Sequence, residues 1–454
     1  MSFAKRLIQI HAIFLSGLCF NAAATAGPKI QSWHTANGAQ VLFVPAPELP
    51  ILDVRVVFNA GSARDAKPGI GSLTNSLLTQ GAGQWDANQI AQRLENVGAQ
   101  LETGSLRDMA WVALRTLTKA SALNTALETF ATIIGKPKFA ATDLERLRNN
   151  VLVSLNQDEQ APETVGSKAV YRAIYGTHPY ATDPSGTKTS VAAITQTDVT
   201  EHFRRYYVAK NAIVAIVGAI DQPQAARIAD QVTAGLAAGT TVPPLPKVVE
   251  SNANRLERLN FPSTQSHVYV GQIGVTRTDP DFFALYVGNH VLGGNGLVSI
   301  LSKEIREQRG LSYNVYSTLL PMQEPGPFLM GLQTKNNQVE QALEVLMQTL
   351  RQFLQTGPSE QELKGAKQNI TGGFPLRISS NAKIVEHLSM IGFYNLPLDY
   401  LDTFNAKVDA VTAAQVRDAL ARRIIPEHFV TVIVGPVNGS QKAFTSTTHT
   451  HSKP

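Results

Sequence analysis

Cysteine is all but missing from these 454 residues: the one thiol, Cys19, lies near the start. A chain that loses that segment has no disulfide and no thiolate metal ligand. Aromatic residues make up 7% and charged residues 17%, beside 43% hydrophobic residues. That balance excludes a disordered, collagenous or coiled-coil chain and leaves an ordinary globular protein with length for two or three domains. Charge of one sign is scarce too. The formal net charge of +5 falls to +3 without Lys5 and Arg6, and no Lys/Arg-rich block suggests nucleic acid. After residue 26 no apolar run is long enough to span a membrane.

The first 26 residues read differently from the rest. Lys5 and Arg6 precede an apolar run from Leu7 to Phe20, and Ala24-Thr25-Ala26 offers small residues before a cut. This is the pattern of a secretory signal peptide, cleaved after Ala26, and it predicts export to the periplasm, with secretion beyond the cell as the alternative. A lipid anchor at Cys19 is the rival reading, opposed by the bulk of Leu18.

From residue 27 onward the chain contains itself twice, at an offset of about 216 residues. An apolar run from Trp111 to Leu117 leads through Thr118-Lys119 into a helix with Ala126-Leu127-Glu128. The same order recurs from Phe328 to Leu332, through Thr334-Lys335, to Ala342-Leu343-Glu344. Each half closes on an amphipathic helix and an apolar strand, ending at Gly218 and Gly435. Asp86 is placed to cap a helix whose face is Ile90, Leu94 and Val97, stopped by Gly98. Thr412 and Gln415 form a candidate capping box. The pattern predicts an α+β protein of two homologous halves, each a largely antiparallel sheet with helices covering one face. The expected domains are 27–234 and 263–437, joined by a linker over 235–262 that is rich in Gly, Ala, Thr and Pro from Gly235 to Pro246. The polar tail 438–454 reads as disordered.

Several segments together carry a resemblance. They are Gly61-Ser62-Ala63-Arg64-Asp65, Gly69-Ile70, Leu77-Leu78, His178-Pro179-Tyr180 and Phe203-Arg204-Arg205-Tyr206-Tyr207. In the second half they are Leu292-Gly293-Gly294 and the run from Glu304 to Tyr313. The chain resembles the insulinase-like (pitrilysin) metallopeptidase family, in the branch that includes mitochondrial processing peptidase subunits, over nearly all of 29–437. The resemblance implies a clamshell of two halves. In active members an inverted His-x-x-Glu-His motif on the first half's helix binds zinc, with a distal Glu as third ligand.

Counting from Gly69-Ile70, the motif positions fall on Ser72, Asn75 and Ser76, and the distal position on Val153 or Ser154. Hydroxyls and an amide are poor zinc ligands, and Asn75 cannot serve as a general base. None of the ten histidines forms a replacement motif, so no metal or other cofactor is expected on this chain. The resemblance also assigns an Arg and a Tyr of the second half to holding the substrate carbonyl, and these are Arg306 and Tyr313. Arg309 competes for the Arg role with a poorer spacing to Tyr313.

The implied function is the zinc-free subunit of an exported heterodimeric peptidase. A homologous partner would carry the zinc, and Arg306 and Tyr313 would be lent to its site for cleaving unfolded peptides. The alternative is an inactive peptide-binding or scaffold protein of the same fold.

Overall fold

The computed structural model describes residues 28–249 and 254–437. The expected signal peptide, Cys19 and the tail 438–454 lie outside those residues. In the first half the strands are β1 (Gln31–His34), β2 (Gln40–Pro45), β3 (Ile51–Phe58), the short pair β4 (Gly81–Ala82) and β5 (Trp85–Asp86), β6 (Gln100–Ser105), β7 (Ala110–Leu117) and β8 (Ala212–Gly218). In the second they are β9 (Arg255–Asn260), β10 (Gln265–Ile273), β11 (Val315–Leu319), β12 (Pro327–Lys335) and β13 (Val430–Gly435).

The main sheets run β1-β2-β8-β3-β7-β6 and β9-β13-β10-β12-β11. Apart from β1 the two orders are the same, element for element. Pairing is antiparallel except at β2–β8 and β9–β13, which are parallel in both halves. The expected caps form: Asp86 and Gln89 close a capping box on the helix Ala87–Glu95, and Thr412 and Gln415 do so on Ala413–Arg423. Among the described residues no helix is long and apolar enough to cross a membrane.

Neither sheet keeps a wet face. Val41 and Phe43 enter a core with the first half's own helices, while Leu42 and Val44, on the opposite side of the same strand, enter the core of the second half. The cover on that side is the helix Asn381–Phe393, which packs on β8, β3 and β2. Its counterpart, Pro162–Tyr175 of the first half, packs on β10 and β13 of the second. The two halves thus exchange equivalent helices. Burial on both faces explains why β8 reads as an unbroken apolar run, AIVAIVG. The approach is closest at two glycines: a Cβ at Gly166 would strike the Tyr269 ring at 2.2 Å, and one at Gly392 would meet Ile213 at 2.6 Å.

A buried polar knot fastens the exchange. Asp108, on the turn between β6 and β7, accepts hydrogen bonds from the hydroxyl of Tyr180, from Tyr394 (2.9 Å) and from the Gln323 amide (2.8 Å). Tyr180 belongs to the first half, Gln323 and Tyr394 to the second. Burial raises the Asp108 carboxyl above its ordinary range, and the three donors pull against that rise.

The stretch expected as a linker is also held at several points. Arg64 donates to Pro243 O (2.7 Å), His178 Nε2 donates to Pro246 O (2.9 Å), and Leu245 is buried. Residues 255–260, expected from the sequence to lie in that linker, form β9, because the parallel register of β13 needs a neighbour there as β8 needs β2.

Candidate functional site

The helix Ile70–Leu77 carries Ser72, Asn75 and Ser76. Asp65 starts it: its carboxylate accepts from Gly69 N (2.8 Å) and Gly71 N (3.0 Å), covering amides that a helix start leaves open. Burial pushes that carboxyl up to about 8 against those bonds. The helix then packs against β6 and the helices Ala141–Asp158 and Gln196–Tyr206.

Asn75 is 1% exposed, and its amide nitrogen and oxygen are both hydrogen-bonded. Its Nδ2 donates to Gly104 O (2.9 Å) and Trp111 O (3.2 Å), and its Oδ1 accepts from the Tyr207 hydroxyl (3.1 Å). The residue at the general-base position therefore ties the helix to β6, to β7 and to Tyr207. Ser72 and Ser76 are half-buried, one turn apart on the same face. Val153 and Ser154 lie on the neighbouring helix Ala141–Asp158 with exposed side chains. The helices that would carry a zinc ligand set are in contact, but the donor set of hydroxyls, amide and Val does not fit zinc. Among the described residues no three His, Cys, Asp or Glu side chains come together to hold a metal.

A feature that motif spacing does not reveal lies at the same helix start. A Cβ added at Gly71 would meet Asp65 Oδ1 at 2.7 Å and His202 Nε2 at 3.6 Å, so both groups converge on one small space. His202 is buried, and its Nε2 has no hydrogen-bond partner among the described residues. Burial, together with the nearby Arg205 charge, lowers its pKa to about 4. The signal was present: His202 follows Val199 by three residues and precedes Tyr206 by four, on the inward face of its helix.

Arg306 and Tyr313 are brought together in the second half, with the guanidinium carbon 4.4 Å from the ring centroid. Ile305 is fully buried and anchors the turn that carries Arg306. The turn ends at Gly310 with φ +60°. Leu311 is buried, and Ser312 Oγ bonds to Asn314 O and Gln333 O (2.7 Å each), fixing the backbone on both sides of Tyr313. Its ring stands out of this frame at 83% exposure. Arg309 is committed to Glu304 (2.7 Å), whereas Arg306 makes no ion pair among the described residues. Arg306 thus presents unshared donors beside a phenol, an arrangement suited to a carbonyl or oxyanion brought from outside. Among the described residues no hydrogen bond, ion pair or ring contact joins this pair to Ser72, Asn75 or Ser76. The two sets are separate features of the chain.

Comparison with known proteins finds family matches in both halves. Residues 41–188 match the family described as Insulinase (Peptidase family M16), and residues 193–370 match Peptidase M16 inactive domain. The crystal structure of a peptidase M16 inactive domain from Pseudomonas fluorescens is 37% identical, with a TM-score of 0.88 over 91% of this chain and 100% of that one. The "uncharacterized zinc protease YmxG" of Bacillus subtilis is 23% identical over 90% of this chain and 98% of its own length. The "non-peptidase homolog YmxG" of Helicobacter pylori is 24% identical over 82% and 85%. The names of these relatives divide between protease and non-peptidase.

Proposed function

Since the chain belongs to the insulinase family of peptidases, peptidase family M16, we propose that it is the zinc-free subunit of a heterodimeric metallopeptidase of that family. In this reading residues 1–26 export it, a homologous chain with an intact motif binds zinc, and Arg306 and Tyr313 close on that chain's site. The substrate is an unfolded peptide. Arg306 holds its carbonyl oxygen and keeps its charge at any working pH, while the Tyr313 hydroxyl adds a second donor where negative charge develops. The observation that carries the reading is the contrast between the two sites. Asn75 is consumed by structural hydrogen bonds, while Arg306 and Tyr313 sit on a rigid frame with no ion-pair partner for the Arg among the described residues.

The test is to purify the chain from its native compartment, identify what accompanies it, and measure zinc and peptide turnover. One homologous partner and one zinc per pair are expected, with Arg306→Ala and Tyr313→Phe each lowering turnover about 10²–10³-fold, as loss of an oxyanion donor does. A metal-free chain found alone, or turnover indifferent to both substitutions, would sink the subunit reading. It would leave the second reading, an inactive peptide-binding or scaffold protein, which the non-peptidase name of the Helicobacter relative favours.

A further inference from the structure

Beyond residue 26 the chain has no thiol, so methionine sulfur is its softest group toward a two-electron oxidant. Met109 and Met330 are buried, while Met322, Met347 and Met390 are half-buried. Among the described residues Met390 alone of these has a hydrogen-bond donor on its sulfur: Arg277 Nη2 lies 2.7 Å from Sδ. Met390 belongs to the exchanged helix Asn381–Phe393, between buried Leu388 and Ile391, and Arg277 follows β10 in the second half.

Arg277 is held from several sides. Its backbone amide donates to Met322 O (2.9 Å), its guanidinium carbon stands 4.8 Å from the Phe282 ring centroid, and Nη2 also donates to the Tyr400 hydroxyl (3.3 Å). The acids that follow it are taken by others: Asp279 pairs with Arg423, and Asp281 with Arg422 and Arg423. One donor is left over. Nε is buried and has no hydrogen-bond partner among the described residues. Nε and Nη2 form one edge of the planar fork, so the sulfur at Nη2 lies beside an N–H that lacks an acceptor. A thioether is a weak acceptor, and a sulfoxide oxygen on the same atom is a strong one.

We propose that Met390 is a reversible oxidation site whose sulfoxide oxygen is received by the Nε–Nη2 edge of Arg277. The oxidant is hydrogen peroxide. The sulfur lone pair attacks one peroxide oxygen, an S–O bond forms and the O–O bond breaks. The second oxygen leaves as water, carrying the proton of the first; sulfur loses two electrons and the peroxide gains them. A methionine sulfoxide reductase, drawing on a thiol, reverses the step. Oxidation makes the sulfur a stereocentre, and one of its two epimers directs the oxygen along the guanidinium edge. The oxidised side chain then ties the exchanged helix more firmly to the half that lends it.

The test oxidises the folded chain with dilute hydrogen peroxide, digests it, and treats the peptides with each of the two stereospecific methionine sulfoxide reductases before mass mapping. At Met390 one epimer should exceed the other about 3–10-fold, the weight of one ordinary hydrogen bond. Arg277→Gln removes the charge and the fork, and Arg277→Lys keeps the charge without the fork. Both should bring the two epimers to near equality. With Met322 and Met347 replaced by Leu, oxidation should leave the urea midpoint close to its reduced value, and should lower it when Arg277→Lys is added. Near-equal epimers at Met390 in the wild-type chain overturn the proposal. So does the same bias in both Arg277 variants, or a Met390 that takes no oxygen where Met322 and Met347 do.

Discussion

Asn75→Asp exchanges an amide for a carboxyl of the same shape at the position where catalytic relatives keep their general base. The structure gives the size of the effect. The two N–H donors of Nδ2 give way to the single O–H of a protonated carboxyl, so one of Gly104 O and Trp111 O loses its donor in a site 1% exposed. The lost bond and the stranded acceptor count about 1 kcal/mol each, and holding the proton at pH 7 against an unfolded pKa of about 3.9 costs up to about 4 kcal/mol more, which puts the deficit at about 3–6 kcal/mol. Tyr207→Phe removes the donor to Asn75 Oδ1 and strands that oxygen, and should lower stability by about 2 kcal/mol.

The pH dependence has a definite sign. A buried carboxyl opposite two carbonyl oxygens is held neutral, so its folded pKa lies above the unfolded value of about 3.9. The folded state then binds more protons than the unfolded, and stability falls as pH rises from about 4 toward the folded pKa. Urea unfolding of variant and wild type at pH 7 and pH 5 reads both effects, and the deficit should be smaller at pH 5. A deficit below about 1 kcal/mol, or one equal at the two pH values, would falsify the structural role assigned to Asn75.

Three further perturbations bear on other parts of the fold. His202, with a folded pKa of about 4 against an ordinary 6.5, contributes stability that is present above 6.5 and lost as pH falls toward 4. The loss comes to about 3 kcal/mol, and His202→Leu should be less acid-sensitive than wild type by that amount in urea titrations; parallel curves would contradict it. Leu388→Ala, in the exchanged helix, empties a fully buried site and should lower stability by about 2–5 kcal/mol. Its signature is faster amide exchange in β3 and β8, and a change confined to the second half would argue against the exchange. Tyr394→Phe removes one of three donors to buried Asp108 and should lower stability by about 1–3 kcal/mol, with Asp108 titrating higher by NMR.

The duplication was legible because both halves keep their elements in one order, and Gly218 and Gly435 close matching strands. The positions Ser72, Asn75 and Ser76 and the pair Arg306 and Tyr313 were picked out by the family resemblance, which local runs of sequence carry. The partner of each buried face was not. The helices 162–175 and 381–393 are amphipathic in the usual way, and nothing in their periodicity says which sheet they cover. The Asp108 knot draws on Tyr180, Gln323 and Tyr394, brought together from three separate stretches of sequence, and so left no local trace. For β9 the composition of its surroundings misled, since Gly- and Pro-rich sequence before it suggested that the linker ran on to residue 262.

The exchange of helices also governs the order in which the chain can fold. β8 completes the first sheet at residue 218, but the face bearing Leu42, Val44, Ala215 and Val217 stays bare until the helix ending at Phe393 has been made. At ribosomal speeds of about 5–20 residues per second the first half waits on the order of 10–30 seconds with an apolar surface uncovered. A nascent chain of this design has no independent first domain to rest in. It is kept open until nearly all of it exists, and any holdase or translocation step has that interval in which to act.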